Sequence, residues 1–153
     1  MNEHSSQELP VWETFLRAHA AVIPLLEGDL ARAGLIPLNR YDVLANLQTA
    51  GGSLRMRGLV SGVVLSQPSV SRLVNEMERD GQVRRDRDPG DRRGVVVSMT
   101  DRGAQDLARA RSIHQRGIQE HFYRHVAAAD EEPMRRALSR VLRAAASRST
   151  AQA

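Results

Sequence analysis

Apolar residues recur at steps of three and four along most of the chain, which is the spacing of one helix face. The first such stripe predicts a helix from near Leu9 past Leu26, and Pro24 within it is expected to kink or break that helix. Further helices are predicted over about 39–49, 56–64, 66–80 and 101–126, and from Asp130 to Ser147. Thr100 and Asp130 fit as N-caps of the last two helices, and the tail beyond them is expected to be disordered.

The helix over 66–80 has the clearest division into two faces. Its apolar stripe consists of Val70, Leu73, Val74 and Met77. Ser66 fits as its N-cap, and Gly81 fits a left-handed helix end. The polar side chains outside the stripe are short, apart from one guanidinium, so they can reach base edges in a major groove. The candidate DNA-binding residues of this helix are Ser66, Gln67, Pro68, Ser69, Ser71, Arg72 and Asn75.

A predicted β-hairpin follows this helix. Two short strand-like runs flank Asp88-Pro89-Gly90-Asp91, where proline and glycine suit a tight turn. Arginines gather around the turn, and one of them could enter a minor groove. The candidate wing residues are Arg87, Asp91, Arg92 and Arg93, and Asp86, Asp88 and Asp91 are expected to hold guanidinium groups in place. A basic hairpin behind a compact helix predicts a winged helix-turn-helix that binds duplex DNA.

Composition narrows the alternatives. The 153 residues suit one domain. The chain has 22 arginines and no lysine. The absence of lysine excludes a P-loop or Schiff-base lysine, and the absence of cysteine excludes disulfides and cysteine-based zinc sites. No nucleophile–base pairing or metal motif is present, so we expect no enzyme, no cofactor and no metal. No membrane-spanning run or secretory signal is recognisable, so a cytoplasmic location is expected by default.

Four segments of the chain carry a recognisable family pattern. They are 65–74, Glu78-Arg79-Asp80-Gly81, Asp88-Pro89-Gly90-Asp91-Arg92-Arg93 and Ser98-Met99-Thr100-Asp101-Arg102-Gly103. In the order and spacing of these segments, the chain resembles the MarR family of bacterial transcription regulators. The resemblance covers nearly the whole chain. The resemblance implies a mainly α-helical winged helix-turn-helix homodimer with a small β-hairpin wing.

The resemblance also implies a division of the chain and a mode of binding. Residues 1–37 would form an N-terminal dimerisation helix, 38–100 the DNA-binding lobe, 101–147 the C-terminal dimerisation helices, and 148–153 a disordered tail. Two recognition helices would meet a pseudo-palindromic operator with half-sites about 34–36 Å apart. The implied function is a sequence-specific transcriptional regulator, expected to be a repressor that a small anionic or phenolic effector releases from DNA.

Several alternatives stay open at this point. Trp12, Asp42, Arg72 and Arg84 are candidate effector residues because they resemble positions of the urate-responsive branch, although Trp12 fits a core or dimer interface better. His121 and His125 could share a metal, while surface or interface histidines are the simpler interpretation. An architectural DNA-binding protein without an effector and a winged-helix protein-interaction module are the competing functions.

Overall fold

The computed structural model describes residues 10–62 and 67–151, which form a mainly α-helical fold with one small antiparallel sheet. This confirms the predicted fold class. The helices are α1 Pro10–Arg32, α2 Leu38–Thr49, α3 Met56–Gly62, α4 Gln67–Arg79, α5 Asp101–His121 and α6 Ala128–Ala151. The strands are β1 Ser53–Arg55, β2 Val83–Asp88 and β3 Asp91–Met99, and a short 3-10 helix, Tyr123–His125, follows α5.

The sheet has the strand order β1-β3-β2. Strands β2 and β3 form the predicted hairpin, in which Val83 lies opposite Met99 and Asp88 opposite Asp91. Strand β1 is an addition that the sequence did not predict, and it pairs with β3 only over Val96–Ser98. Three residues are too few to show the alternation by which a strand is recognised.

The core lies between the sheet and the helices around it. All four residues of the predicted α4 stripe are buried, as expected from their spacing. They share the core with residues of α1, α2, α3, α5 and the sheet, among them Leu30, Leu44, Leu47, Leu59, Val97 and Leu107. Helix α4 is therefore held by its apolar face, and its opposite face is left outside the core.

Two predicted helix ends are confirmed. Gly81 has φ = 76°, a left-handed conformation that glycine adopts without a Cβ clash, and it ends α4 as expected. Thr100 caps α5, because its hydroxyl oxygen accepts a hydrogen bond from the backbone N–H of Gly103 at 3.1 Å. The same hydroxyl donates to the carbonyl of Gly81 at 2.6 Å. Thr100 thus joins the end of α4 to the start of α5.

The break that was one of the two outcomes expected at Pro24 does not occur, because α1 continues through this residue from Pro10 to Arg32. Proline leaves one carbonyl of the preceding turn without its helical donor. That carbonyl belongs to Ala20, and both Ala20 and Pro24 lie on the exposed side of the helix. Water can therefore hydrogen-bond the unpaired carbonyl, and the helix is preserved.

The C-terminal helices also differ from their predicted bounds. Helix α5 ends at His121 rather than Val126, because Phe122 leaves the helical region with φ = −126°. Helix α6 begins at Ala128, so Asp130 lies in its first turn and is not its N-cap. The helix continues to Ala151, past the boundary predicted at Ser147. An acidic residue in a first turn stabilises the positive end of the helix dipole, as it would at the cap.

Helix α6 stands apart from the body of the chain. Between residues 128 and 148 its side chains are exposed, except for the half-buried Ser139. Exposed apolar residues nevertheless line one side of it, namely Met134, Leu138, Val141 and Leu142. None of the helices in the two described ranges combines the length and apolar character needed to cross a bilayer.

Candidate nucleic-acid interface

The outer face of α4 carries short polar and cationic side chains. Arg72 and Asn75 are exposed, and Ser69 and Ser71 are half-buried. Ser66 lies outside the described residues, as do the side chains of Gln67 and Pro68. Because the apolar face of α4 is fully used by the core, this polar face is the one that can approach a ligand.

The hairpin projects as a tip with exposed cations. Pro89 and Gly90 form the turn between β2 and β3. Arg87, Arg92 and Arg93 are all exposed, and no carboxylate of the described residues pairs with their guanidinium groups. Unpaired guanidinium groups present planar forks of N–H donors, which match the geometry of phosphate oxygens. The tip can therefore bind an anionic backbone without first breaking ion pairs.

The predicted role of the hairpin aspartates is wrong for these three arginines. Asp86 pairs with Arg84, with 2.8 Å between Oδ2 and Nε. Asp91 accepts a hydrogen bond from the backbone N–H of Arg93 at 3.0 Å. This contact holds the backbone beside the turn and does not hold the Arg93 guanidinium. Asp88 points into the sheet and pairs with Arg55 of β1. The sequence shows that charges of both signs are present, but it does not show which of them meet.

A polar network fixes the base of α4, and sequence reasoning missed it. Arg40 of α2 donates to Asp80 at 2.6 Å and to the buried Gln82 at 3.0 Å. The Gln82 amide donates in turn to Asp106 of α5 at 2.8 Å. These partners are far apart in sequence, and no motif marks them. The network ties the end of α4 to both α2 and α5, so the orientation of α4 is defined.

The four candidate effector residues do not form one cluster. Trp12 is exposed on α1 and stacks on Phe15, with ring centroids 6.1 Å apart. Arg72 lies on the outer face of α4, and Arg84 is paired on β2. Within the described ranges, no hydrogen bond, ion pair or ring contact joins any two of the four. Their grouping as an effector site therefore stays a prediction. Among the four, Asp42 is the one whose partly buried surroundings shift its pKa.

Asp42 lies half-buried on α2, next to a residue whose ring packs on a histidine ring at an inclined angle. Burial raises the pKa of its carboxyl, and the nearby Glu27 carboxylate of α1 raises it further. The neighbouring Tyr41 packs on His114 of α5, with ring centroids 4.1 Å apart. Burial lowers the pKa of the His114 imidazole, which favours its neutral form. Polar groups of α1, α2 and α5 thus form a patch around Asp42, and no ion pair to its carboxylate occurs among the described residues.

Asp42→Asn is expected to raise the melting temperature by a few degrees at about pH 7 and to change it little near pH 3. A carboxyl whose pKa is raised on folding destabilises the fold once pH exceeds the folded pKa, and this cost vanishes below the unfolded pKa. Thermal unfolding across pH measures the effect. Asp130→Asn is the control, because it removes an exposed carboxylate that favours a helix start and should not raise the melting temperature. An equal gain at both pH values would contradict the assignment.

Asp29 of α1 binds His121 of α5, and their side chains lie 2.8 Å apart. This hydrogen bond lowers the pKa of the Asp29 carboxyl. The helices cross closely here, since a Cβ at Gly117 would lie 2.8 Å from Leu26. His121 therefore binds a carboxylate between the two helices. No group of three or more metal-binding side chains occurs within the described part of the chain.

A second exposed apolar surface lies on the first half of α1. Its members are Val11, Trp12, Phe15 and Leu16. With the apolar row of α6, it makes two helical faces that the single chain leaves in solvent. Contiguous exposed apolar surface of this kind is typical of an interface between proteins.

Comparison with known proteins identifies relatives of the whole arrangement. Residues 30–94, which include α2 to α4 and most of the hairpin, match the model of the MarR family. The chain is 28% identical over 112 residues to the uncharacterised HTH-type transcriptional regulator YkoM of Bacillus subtilis, covering 73% of this chain and 71% of YkoM.

Solved structures extend the likeness to the terminal helices. AbsC, a MarR family transcriptional regulator from Streptomyces coelicolor, matches with a TM-score of 0.81 and 26% identity, over 96% of this chain and 99% of AbsC. Sco3205 from the same organism, solved in complex with DNA, matches with a TM-score of 0.79 and 23% identity, over 92% of this chain and 89% of Sco3205. The organohalide-sensing RdhR regulator, solved with 2,4-dichlorophenol, matches with a TM-score of 0.74 and 18% identity, over 92% of this chain and 83% of RdhR.

Proposed function

We propose that this chain is a MarR family transcriptional regulator, that it binds operator DNA as a homodimer and that a small molecule releases it. Transcriptional regulators are not enzymes, and we infer no catalytic activity. Since the proposed target is DNA, we also infer a cytoplasmic location.

The observation that carries the proposal is that two exposed surfaces lie on one packed lobe. Arg72 and Asn75 on α4 suit base edges, and the unpaired Arg92 and Arg93 at the hairpin tip suit phosphates or a minor groove. Helix α4 packs on β2, so both surfaces belong to one unit. In Sco3205, a chain of the same fold is bound to DNA. The wing residues are therefore proposed as Arg87, Asp91, Arg92 and Arg93, and the recognition residues as those predicted from the sequence.

The dimer is proposed from the uncovered apolar rows of α1 and α6. A second copy of the chain can cover both rows at once, because a two-fold axis brings the same surfaces together. It would also present two copies of α4 to one duplex, about one helical turn apart. The same two-fold dimer would also cover α6, the long helix that the single chain leaves in solvent.

The effector is proposed to be a small anionic or phenolic molecule. The RdhR regulator of the same fold binds 2,4-dichlorophenol. In this chain, the polar patch around Asp42 lies among α1, α2 and α5, where helices of the dimer region meet the DNA-binding lobe. A ligand that prefers one arrangement of these helices would shift the spacing of the two copies of α4. Trp12, Asp42, Arg72 and Arg84 stay the candidate residues.

Replacing Arg92 and Arg93 together with alanine tests DNA binding. Removing one arginine that binds a phosphate is expected to reduce the slope of log affinity against log salt by about 1, so the double variant should reduce it by up to about 2. Affinity is measured by fluorescence anisotropy with a duplex from the region upstream of the chain's own gene. Arg109→Ala and Arg116→Ala together are the matched control, since both are exposed arginines of α5. An unchanged affinity in the wing variant would count against the proposal.

The same titration separates the competing functions. An architectural protein would bind shuffled and upstream duplexes with nearly equal affinity, whereas a specific regulator typically prefers its site by about 10³-fold or more. A protein-interaction module would bind neither duplex tightly. The sequence preference is therefore the deciding quantity.

A further inference from the structure

A single buried carboxylate connects both edges of the sheet at the base of the hairpin tip. Asp88 is the last residue of β2, and its side chain is only 4% exposed. Its Oδ2 lies 2.6 Å from Nε of Arg55, which ends β1 on the far side of the central strand β3. The contact is an ion pair without the alignment of a hydrogen bond. The Arg55 side chain stays 52% exposed.

Three local features allow Asp88 to reach across β3. The pairing of β2 with β3 is irregular between Arg87 and Asp88, which turns the Asp88 side chain inward. Gly94 on β3 leaves the space that this side chain crosses, because a Cβ there would lie 2.9 Å from the Asp88 Cβ. The second carboxylate oxygen accepts the backbone N–H of Gly90 at 2.9 Å. One side chain therefore holds both the turn and the distant strand.

The hairpin tip needs such a support. Strand β1 pairs with β3 only at Val96–Ser98, so the residues from Asp88 to Gly94 extend beyond the three-stranded part of the sheet. A two-stranded ribbon is marginally stable by itself in water. Without a connection to β1, the tip would be held by its own turn and a few ladder bonds.

We propose that Arg55 is a positioning residue for the wing, acting through Asp88 to fix the direction in which Arg92 and Arg93 point. The expected effect of Arg55 on DNA affinity rests on the proposed DNA-binding function. Its support of the hairpin tip does not. Asp88 is buried and needs a cation, and Arg55 supplies it. The exposed part of Arg55 adds positive charge beside the turn, so a direct DNA contact is the alternative that the experiment must separate.

Amide hydrogen exchange without DNA tests the structural part. Arg55→Met keeps the length of the side chain and removes the charge, and Asp88→Asn keeps the shape of its partner. Removing one member of a buried pair is costly, and we expect exchange across 88–94 to accelerate by about tenfold in each variant. Arg57→Met and Asp86→Asn are the matched controls, since both residues are exposed. Arg55→Lys should restore part of the protection. Unchanged exchange in both test variants would overturn the proposal.

A double-mutant cycle on DNA affinity tests the functional part. With Arg92 and Arg93 intact, Arg55→Met is expected to weaken binding to the upstream duplex by about fivefold to tenfold. In the Arg92→Ala, Arg93→Ala background, the same change should cost less than about twofold, since the groups that Arg55 positions are gone. Equal reductions in both backgrounds would identify a direct contact and overturn the positioning role. If the wild-type chain bound no duplex, the proposed function would fail while the exchange result still decided the structural part.

Discussion

Replacing Val141 and Leu142 together with glutamate is expected to make the protein monomeric and to weaken operator binding by about 100-fold or more. In the single chain these side chains are 65% and 69% exposed, so the change removes no internal packing. In the proposed dimer they lie in the interface, where four new carboxylates per pair of chains would be buried without partners. Two linked half-sites gain avidity of about 10²–10⁴ over one, and this gain disappears with the dimer.

The measurement combines light scattering at micromolar concentration with anisotropy titrations on the upstream duplex. Ala129→Glu with Ser147→Glu is the charge-matched control, because both positions lie on the other side of α6 by its 3.6-residue period. The control is expected to stay dimeric and to keep most of its affinity. A wild-type protein of monomeric mass, or a glutamate variant that stays dimeric, would contradict the proposed interface.

Replacing Arg72 with alanine is expected to reduce sequence preference more than any single change in the wing. A side chain that reads a base edge contributes about 1–3 kcal/mol of discrimination, so the affinity for the upstream duplex should fall by roughly tenfold to a hundredfold. Binding to a shuffled duplex should change little, because Arg72 has no specific base to read there. The wing variants should instead weaken binding to both duplexes by similar factors.

Arg79→Ala is the matched control for this prediction. Arg79 is also exposed on α4, two turns nearer its C-terminal end. Recognition helices contact base edges mainly with residues near their N-terminus, so Arg79 should contribute less to sequence preference. If Arg72→Ala weakened binding to both duplexes by one factor, Arg72 would be a phosphate contact and the assignment of α4 as the reading element would lose its main support.

The parts of this fold that could be predicted are those with a local cause. Pro89 and Gly90 suit a turn by their backbone geometry, and the stripe from Val70 to Met77 identifies its own buried face. The left-handed end at Gly81 and the Thr100 cap follow from single residues. Each of these features depends on neighbours within one or two turns of chain, which the sequence displays directly.

The parts that could not be predicted depend on residues brought together by the tertiary fold. Strand β1 is recognisable only through its pairing with β3. Asp88 was expected to hold a wing arginine, but its partner is Arg55 on a distant strand. The network at Gln82 joins three elements in the same way. Opposite charges were visible in the sequence, whereas the choice of partner depends on which side chains the bulge and Gly94 allow to meet.

The most direct test of sequence-specific DNA binding is a titration of the wild-type protein with the duplex from upstream of its own gene and with a shuffled duplex of the same composition, at several salt concentrations. We expect two chains per upstream duplex, a preference of about 10³-fold or more over the shuffled duplex, and an affinity that falls steeply with salt. Equal affinity for the two duplexes, or no measurable binding to either, would contradict the assignment of this chain as a sequence-specific DNA-binding regulator.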